Sequence, residues 1–192
     1  MARPRQFDSD AALDAAQGVF HARGFEATSV QHLVDATGLS RSSLYATFGD
    51  KHGLFLAVLD RYAEIGKAAT DAVCASCSPV QAIRNVLNQA VTETGDAPGC
   101  LLVNVAVERA SRDPEMAARS AAARRALDAR FEGLIRRAQS DLEVGHAADP
   151  QRLAHFLTGT LYGIRALQTS GAPQDVLEDV AERAMRVIQQ AA

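Results

Sequence analysis

The stretch GLSRSSLYATFGDK, residues 38–51, decides the fold. Gly38 is suited to end one helix, and Ser40 carries a side chain that can cap the next. At about 100° per residue, Leu44 and Phe48 fall on one face, where they can pack inward against Phe20, Val30 and Leu33. Ser42, Ser43 and Ala46 lie opposite, Tyr45 and Thr47 sit on the flanks, and Arg41 occupies the first turn. Asp50 is placed to cap a further helix that opens with Lys51.

A helix with this outer face suits the major groove of duplex DNA. Small residues let its backbone approach, Ser42 and Ser43 can exchange hydrogen bonds with base edges, and Ala46 can touch a thymine methyl. The hydroxyls of Tyr45 and Thr47 can reach phosphates on the groove walls. Lys51, together with the open N–H groups of the helix it begins, forms a possible anion site. Arg3 and Arg5, in a proline-containing arm, can reach a neighbouring groove. Periodicity alone leaves a second reading open, a capped amphipathic helix with a solvated polar face.

Working outward, helix signals run almost end to end. FDSDAALDAAQGVFHARG, residues 7–24, places Leu13, Ala16, Val19 and Phe20 on one face, and Gly24 closes it. TSVQHLVDATG, residues 28–38, opens with Thr28 and Gln31 at capping-box spacing. The helix after Asp50 is expected to run to about Ala75. Ser78-Pro79 with Gln81, Asp113-Pro114 and Asp149-Pro150 each pair a cap with a proline, and Pro173 starts the last helix. Gly95, Gly145 and Gly171 are expected to end the preceding helices. No segment alternates at period two for long enough to be a sheet. The pattern predicts an all-α chain of about nine helices: a three-helix helix-turn-helix domain over residues 1–52 and a longer helical domain over 53–192.

Bulk properties agree. The 192 residues are 47% hydrophobic and only 5% aromatic, a composition that favours packed helices. The net charge of -3 excludes a basic nucleic-acid coat, so any DNA contact depends on local placement of charge. Three cysteines without framework spacing fit a reducing compartment. With no apolar run of bilayer length and no apolar export segment, a cytoplasmic protein without membrane contact is expected.

The segment from Phe7 to about Leu59 resembles the DNA-binding domain of the tetracycline-repressor (TetR) family of bacterial regulators. GFEATSV, the Gly38 turn, LYATFGDK and the LF pair match that family's pattern in order and spacing. The resemblance implies a homodimer that binds double-stranded operator DNA and is released by a small-molecule effector. It implies that Thr28 caps the second helix and touches phosphate. Arg41, Ser42 and Ser43 take the base-reading positions, and Tyr45, Thr47 and Lys51 the phosphate contacts. Thr47 stands where many members have His, which puts one backbone contact in doubt. The resemblance leaves open a repressor or an activator, and a thiol-based sensor of oxidants or electrophiles.

Beyond residue 60 the pattern is weaker, although APGCLLVNVAVERASRDPEM is similar to one subgroup of the family's effector domains. Candidate effector contacts are Tyr62, Leu101, Asn104, Val105, Glu108, Phe131 and Ile135, an apolar set with a few polar groups. The last two helices carry a broad apolar stripe. Phe156, Gly159, Gly163, Leu167, Val180, Ala184 and Val187 are the candidate dimer contacts, with burial inside the chain as the competing outcome. Cys74, Cys77 and Cys100 are either small buried thiols or sensors. No His or Cys spacing supports a metal, no cofactor is implied, and no catalytic constellation supports an enzyme.

Overall fold

The computed structural model describes residues 8–92, 100–109 and 111–190; Arg3, Arg5 and Gly95 lie outside the described residues. Among the described residues the chain is nine helices and no strand. They are α1 (Ser9–Ala27), α2 (Val30–Thr37), α3 (Arg41–Phe48), α4 (Lys51–Ala75), α5 (Pro79–Thr92), α6 (Leu101–Glu108), α7 (Pro114–Ser140), α8 (Pro150–Thr169) and α9 (Gln174–Gln190). The chain divides into two compact units, Met1–Glu64 and Ile65–Ala192.

The N-terminal unit is built on an aromatic knot. Ala12, Ala16 and Phe20 recur every four residues along α1 and are buried. Phe20 meets Phe55 of α4 edge-on with ring centroids 4.6 Å apart, and Phe25 lies 5.1 Å from the same ring. Leu33 of α2 and Leu44 of α3 close this core. Burying each such side chain contributes about 1.5–3 kcal/mol, which is what lets helices of only eight residues persist. Across α1 and α4, Arg61 grips Asp14 through Nε at 2.9 Å and Nη2 at 3.0 Å. Its Nη1 reaches Asp10 at 3.0 Å.

Two boundaries differ from the sequence expectation. Helix α1 does not stop at Gly24. It kinks there (φ 72°, ψ 168°) and resumes to Ala27. The capping box of α2 sits one residue later than expected. Ser29 Oγ accepts the N–H of His32, and His32 Nδ1 accepts the N–H of Ser29. Thr28 is unavailable for that task because its hydroxyl donates to the Gly24 carbonyl at 2.7 Å, satisfying the end of the kinked helix.

The C-terminal unit packs α5, α7, α8 and α9 around one core that includes Ile83, Leu87, Phe131, Ile135, Leu157, Ile164, Leu177 and Ile188. The cap-and-proline starts form as the spacing predicts. Asp113 accepts from the N–H of Met116, and Asp149 from those of Gln151 and Arg152. At the start of α5 the cap is shared. Ser78 Oγ accepts the N–H of Gln81, while Glu143 Oε2 takes the N–H of Val80 and the Ser78 hydroxyl. Helix α7 ends at Ser140, five residues before Gly145. The intervening turn is held by Gln139 Nε2, which donates to the carbonyls of Gly145 and Ala148 at 3.0 and 2.8 Å. Ser120 ties α7 to α6 by donating to the Leu102 carbonyl at 3.0 Å.

Candidate nucleic-acid interface and effector domain

Helix α3 begins at Ser40, whose Oγ accepts the N–H of Ser43 at 3.1 Å. The same oxygen lies 2.9 Å from the hydroxyls of both Ser42 and Ser43, so three hydroxyls gather at the helix start. Leu44 is 2% exposed and anchors the inner face. Arg41, Ser42, Tyr45, Ala46 and Thr47 are exposed, and Ser43 is half-exposed. The outward face is therefore small, hydroxyl-rich and flanked by one guanidinium and one phenol, as the sequence predicts. The Thr47 hydroxyl donates to the Ser43 carbonyl at 3.0 Å. Phosphate only accepts, and a hydroxyl has a single proton, so a phosphate contact by Thr47 requires that proton to swing outward.

At the corner between α3 and α4, Asp50 Oδ1 accepts the N–H of Gly53 at 2.8 Å. A Cβ at Gly53 would collide with the carbonyl oxygen of Phe48, so α3 ends directly against the first turn of α4. Only a residue without a side chain permits that approach.

Three expected DNA contacts are placed differently. Thr28 is 1% exposed and spends its hydroxyl on Gly24, so it supports α1 rather than touching phosphate. The ammonium of Lys51 folds back, donating to the carbonyls of Phe25 and Thr28 at 2.9 Å each and lying over the Phe25 ring. Its charge thus meets the carbonyl ends left open by α1. Of the N–H groups expected beside Lys51, that of Gly53 meets the Asp50 carboxylate, which stands where an anion was expected.

In the C-terminal unit the expected effector contacts scatter. Leu101, Val105, Phe131 and Ile135 are buried, the last two within the hydrophobic core. Asn104 is half-buried and Glu108 is exposed at the end of α6. Tyr62 belongs to the N-terminal unit, with its ring 6.5 Å from that of His21. A shallow open groove of about 250 Å³ lies between α7 and α8, lined by Arg124, Asp128, His155, Thr158, Gly159 and Tyr162. Burial and, secondarily, the nearby Cys100 thiol push the Tyr162 phenol up to about 12, so it remains a donor at physiological pH. None of these residues was singled out by the sequence as an effector contact. The available signals were the Arg124–Asp128 pair at helical spacing and the Thr158–Tyr162 pair one turn apart, both masked by the apolar stripe of α8.

Of the expected dimer contacts, Phe156 is 40% exposed and Gly159 is exposed, while Gly163, Leu167, Val180 and Val187 are half-buried. A Cβ at Gly159 or Gly163 would meet nothing within 4 Å among the described residues, so no packing between them explains either glycine. Ala184 is 1% exposed and packs in the chain's own core, which removes it from the outward stripe. Cys100 is the N-cap of α6 and its side chain makes no cap bond. Burial raises the Cys74 thiol. No group of metal-ligating side chains occurs among the described residues, and none of their helices is long and apolar enough to cross a membrane.

Comparison with known proteins agrees with this geometry. The family profile described as bacterial regulatory proteins, tetR family, matches residues 12–58, and that of the tetracyclin repressor-like C-terminal domain matches residues 79–188. The uncharacterized HTH-type transcriptional regulator YezE of Bacillus subtilis is 32% identical, over 98% of this chain and 100% of its own length. The HTH-type transcriptional repressor ComR of Escherichia coli is 33% identical, over 96% of this chain and 90% of its own. Among solved structures, a cysteine mutant of the TetR family regulator CifR, complexed with 26-bp double-strand operator DNA, superposes with a TM-score of 0.84. It is 31% identical and covers 97% of this chain and 100% of that one. Escherichia coli NemR in its reduced form shares the fold with a TM-score of 0.81 at 17% identity, over 91% of this chain and 93% of that one. An exposed recognition face on a buried leucine, carried by a three-helix unit ahead of a helical bundle, is thus matched by sequence profile and by fold, and the chain belongs to the TetR family of bacterial DNA-binding transcriptional regulators.

Proposed function

We propose that this regulator is a repressor that binds a two-fold-symmetric operator as a homodimer and leaves it when a small molecule occupies the C-terminal unit. The observation that carries this reading is α3, which holds Arg41, Ser42, Tyr45, Ala46 and Thr47 outward on a buried Leu44. Arg41, Ser42 and Ser43 read bases, Tyr45 and Thr47 bind backbone, and the arm with Arg3 and Arg5 enters an adjacent groove. Dimerisation runs through Phe156, Gly159, Gly163, Leu167, Val180 and Val187 of α8 and α9. The protein acts in the cytoplasm as a regulator rather than an enzyme. The relatives support these assignments: ComR is a repressor, and the CifR mutant is complexed with operator DNA.

The test is fluorescence anisotropy with duplexes tiling the intergenic DNA beside the protein's own gene, at several salt concentrations. One duplex is expected to bind at least about a thousandfold more tightly than random sequence. Replacing Arg41 by Ala is expected to weaken that duplex by about tenfold or more and to lower discrimination. Equal binding of all duplexes, or an Arg41→Ala protein that discriminates as well as the wild type, overturns the reading.

A second reading, thiol sensing, is favoured by one observation: Cys100 caps α6 without using its side chain and lies near Tyr162. It predicts that an oxidant releases operator DNA from the wild type and not from Cys100→Ser.

A further inference from the structure

Ser40 does more than close the start of α3. A serine hydroxyl has one proton and two lone pairs, and three groups of the same helix surround this one. The N–H of Ser43 donates to Ser40 Oγ at 3.1 Å and uses one lone pair. The hydroxyls of Ser42 and Ser43 each stand 2.9 Å from the same oxygen. One lone pair and one proton remain for those two, so one of them donates to Ser40 and the other accepts from it. The serine that donates has spent its only proton and turns lone pairs outward. The serine that accepts keeps its proton free to point outward.

We propose that Ser40 is a positioning residue for operator recognition: it orders the protons of Ser42 and Ser43, so that one meets base edges as a fixed acceptor and the other as a fixed donor. The inference rests on the reading of Ser42 and Ser43 as base contacts and adds the residue that gives each of them a sign.

The sign decides specificity. A serine hydroxyl left to itself rotates to suit its partner and reads donors and acceptors alike. Exchanging A·T for G·C replaces the N6 donor of adenine by the O6 acceptor of guanine, and the O4 acceptor of thymine by the N4 donor of cytosine. A rotating hydroxyl tolerates both pairs, whereas a fixed one rejects one of them. Ser40 and Ser42 are exposed and Ser43 is half-exposed, so water competes for these hydroxyls in the free protein. Closing the DNA interface removes that water, and a group left facing its own sign is then unpaired, which costs more than a hydrogen bond gains. Capping alone does not require a hydroxyl at this position. Asp113 and Asp149 cap their helices with carboxylates, which only accept and cannot divide two serines into a donor and an acceptor.

The experiment is fluorescence anisotropy on the full-length protein with the most tightly bound duplex from the tiling series. A·T and G·C are exchanged one position at a time, symmetrically in both half-sites. Ser42→Ala and Ser43→Ala identify the positions those serines read. There the exchange is expected to cost the wild type about tenfold or more in affinity. In Ser40→Ala that cost is expected to fall to about threefold or less at the same positions, with wild-type discrimination kept at the others. Ser40→Thr retains the hydroxyl and is expected to discriminate like the wild type. Ser40→Asp keeps a strong cap but only accepts, so both serines donate to it and both turn lone pairs outward. The preferred base pair is expected to reverse at one of the two positions, while the added charge weakens binding to all duplexes alike. Loss of a cap alone would not reverse a base preference. Circular dichroism confirms that each variant is folded, and if Ser40→Ala does not fold, the Ser40→Asp reversal decides.

Ser40→Ala and Ser40→Asp variants that lower the affinity of all duplexes by one common factor leave Ser40 a helix cap and overturn the proposal. So do Ser42→Ala and Ser43→Ala variants with discrimination intact at each position. A wild type that binds all duplexes equally overturns the regulator reading as well. A discriminating wild type beside an equally discriminating Ser40→Ala overturns this proposal alone.

Discussion

The ammonium of Lys51 donates to the carbonyl of Phe25 at 2.9 Å while lying 4.3 Å from the centroid of the same residue's ring. One side chain thus closes the end of α1 from the start of α4, 26 residues away in the chain. The position that faces phosphate in the family pattern also holds the N-terminal unit together.

Lys51→Ala is therefore expected to destabilise the N-terminal unit by about 1–2 kcal/mol, since it removes two hydrogen bonds to backbone carbonyls and a cation from an aromatic face. Urea unfolding followed by circular dichroism measures this. The slope of log affinity against log salt for operator DNA should change by less than about one unit. Unchanged stability with a slope lowered by a full unit would return Lys51 to the phosphate contacts.

The Arg61–Asp14 pair makes the same unit acid-sensitive. Hydrogen bonding from Arg61 holds the Asp14 carboxyl below its usual range. A depressed folded-state value means that the unfolded chain takes up the proton first as pH falls. The contribution is fully present above the ordinary aspartate range and is lost as pH drops through the folded value, below about pH 4. The gap in denaturation midpoint between wild type and Asp14→Asn should be widest at neutral pH, with the wild type higher, and should narrow as the pH falls below the ordinary aspartate range. A constant gap would show that Asp14 acts through packing alone.

Gly163→Leu separates folding from assembly. A Cβ there meets open space within the chain, and leucine is the better helix former by about 0.8 kcal/mol. The variant is expected to keep full helicity and a normal melting curve while light scattering reports a monomer. A stable dimer would move the interface away from α8.

Among the thiols, Cys100 should alkylate before Cys74, because burial raises the Cys74 thiol and leaves less thiolate for attack. Peptide mass spectrometry after a timed iodoacetamide pulse on the native protein gives the order. Faster labelling of Cys74 would contradict the burial argument.

Much of the fold was legible because its punctuation is local. Asp113-Pro114 and Asp149-Pro150 carry both halves of a helix start within two residues, and the four-residue spacing of Leu44 and Phe48 gives the inner face of α3. Thr28 and Ser29 were harder to separate. Both are good caps, and only the kink at Gly24, which brings a free carbonyl within 2.7 Å of Thr28, decides between them. The sequence does not place the Lys51 ammonium, because a four-carbon stem can fold back as easily as reach out, and its partners here are backbone atoms that no side-chain pattern encodes. The groove was hidden for a different reason. Thr158 and Tyr162 sit within an apolar stripe, and that they border α7 together with Arg124 and Asp128 exists only in three dimensions.

Gly53 carries a mechanical consequence. A glycine in the first turn of a 25-residue helix looks replaceable, yet its missing side chain is what brings the end of α3 against that helix. The corner has no slack: the carbonyl of Phe48 rests where a methyl group would be, and Asp50 pins the same turn from the other side. The two helices behave as a crank with its handle fixed to its shaft. Any roll of α4 about its own axis must be followed by α3, so the serines and arginine at the tip of the recognition helix report the angular position of the shaft.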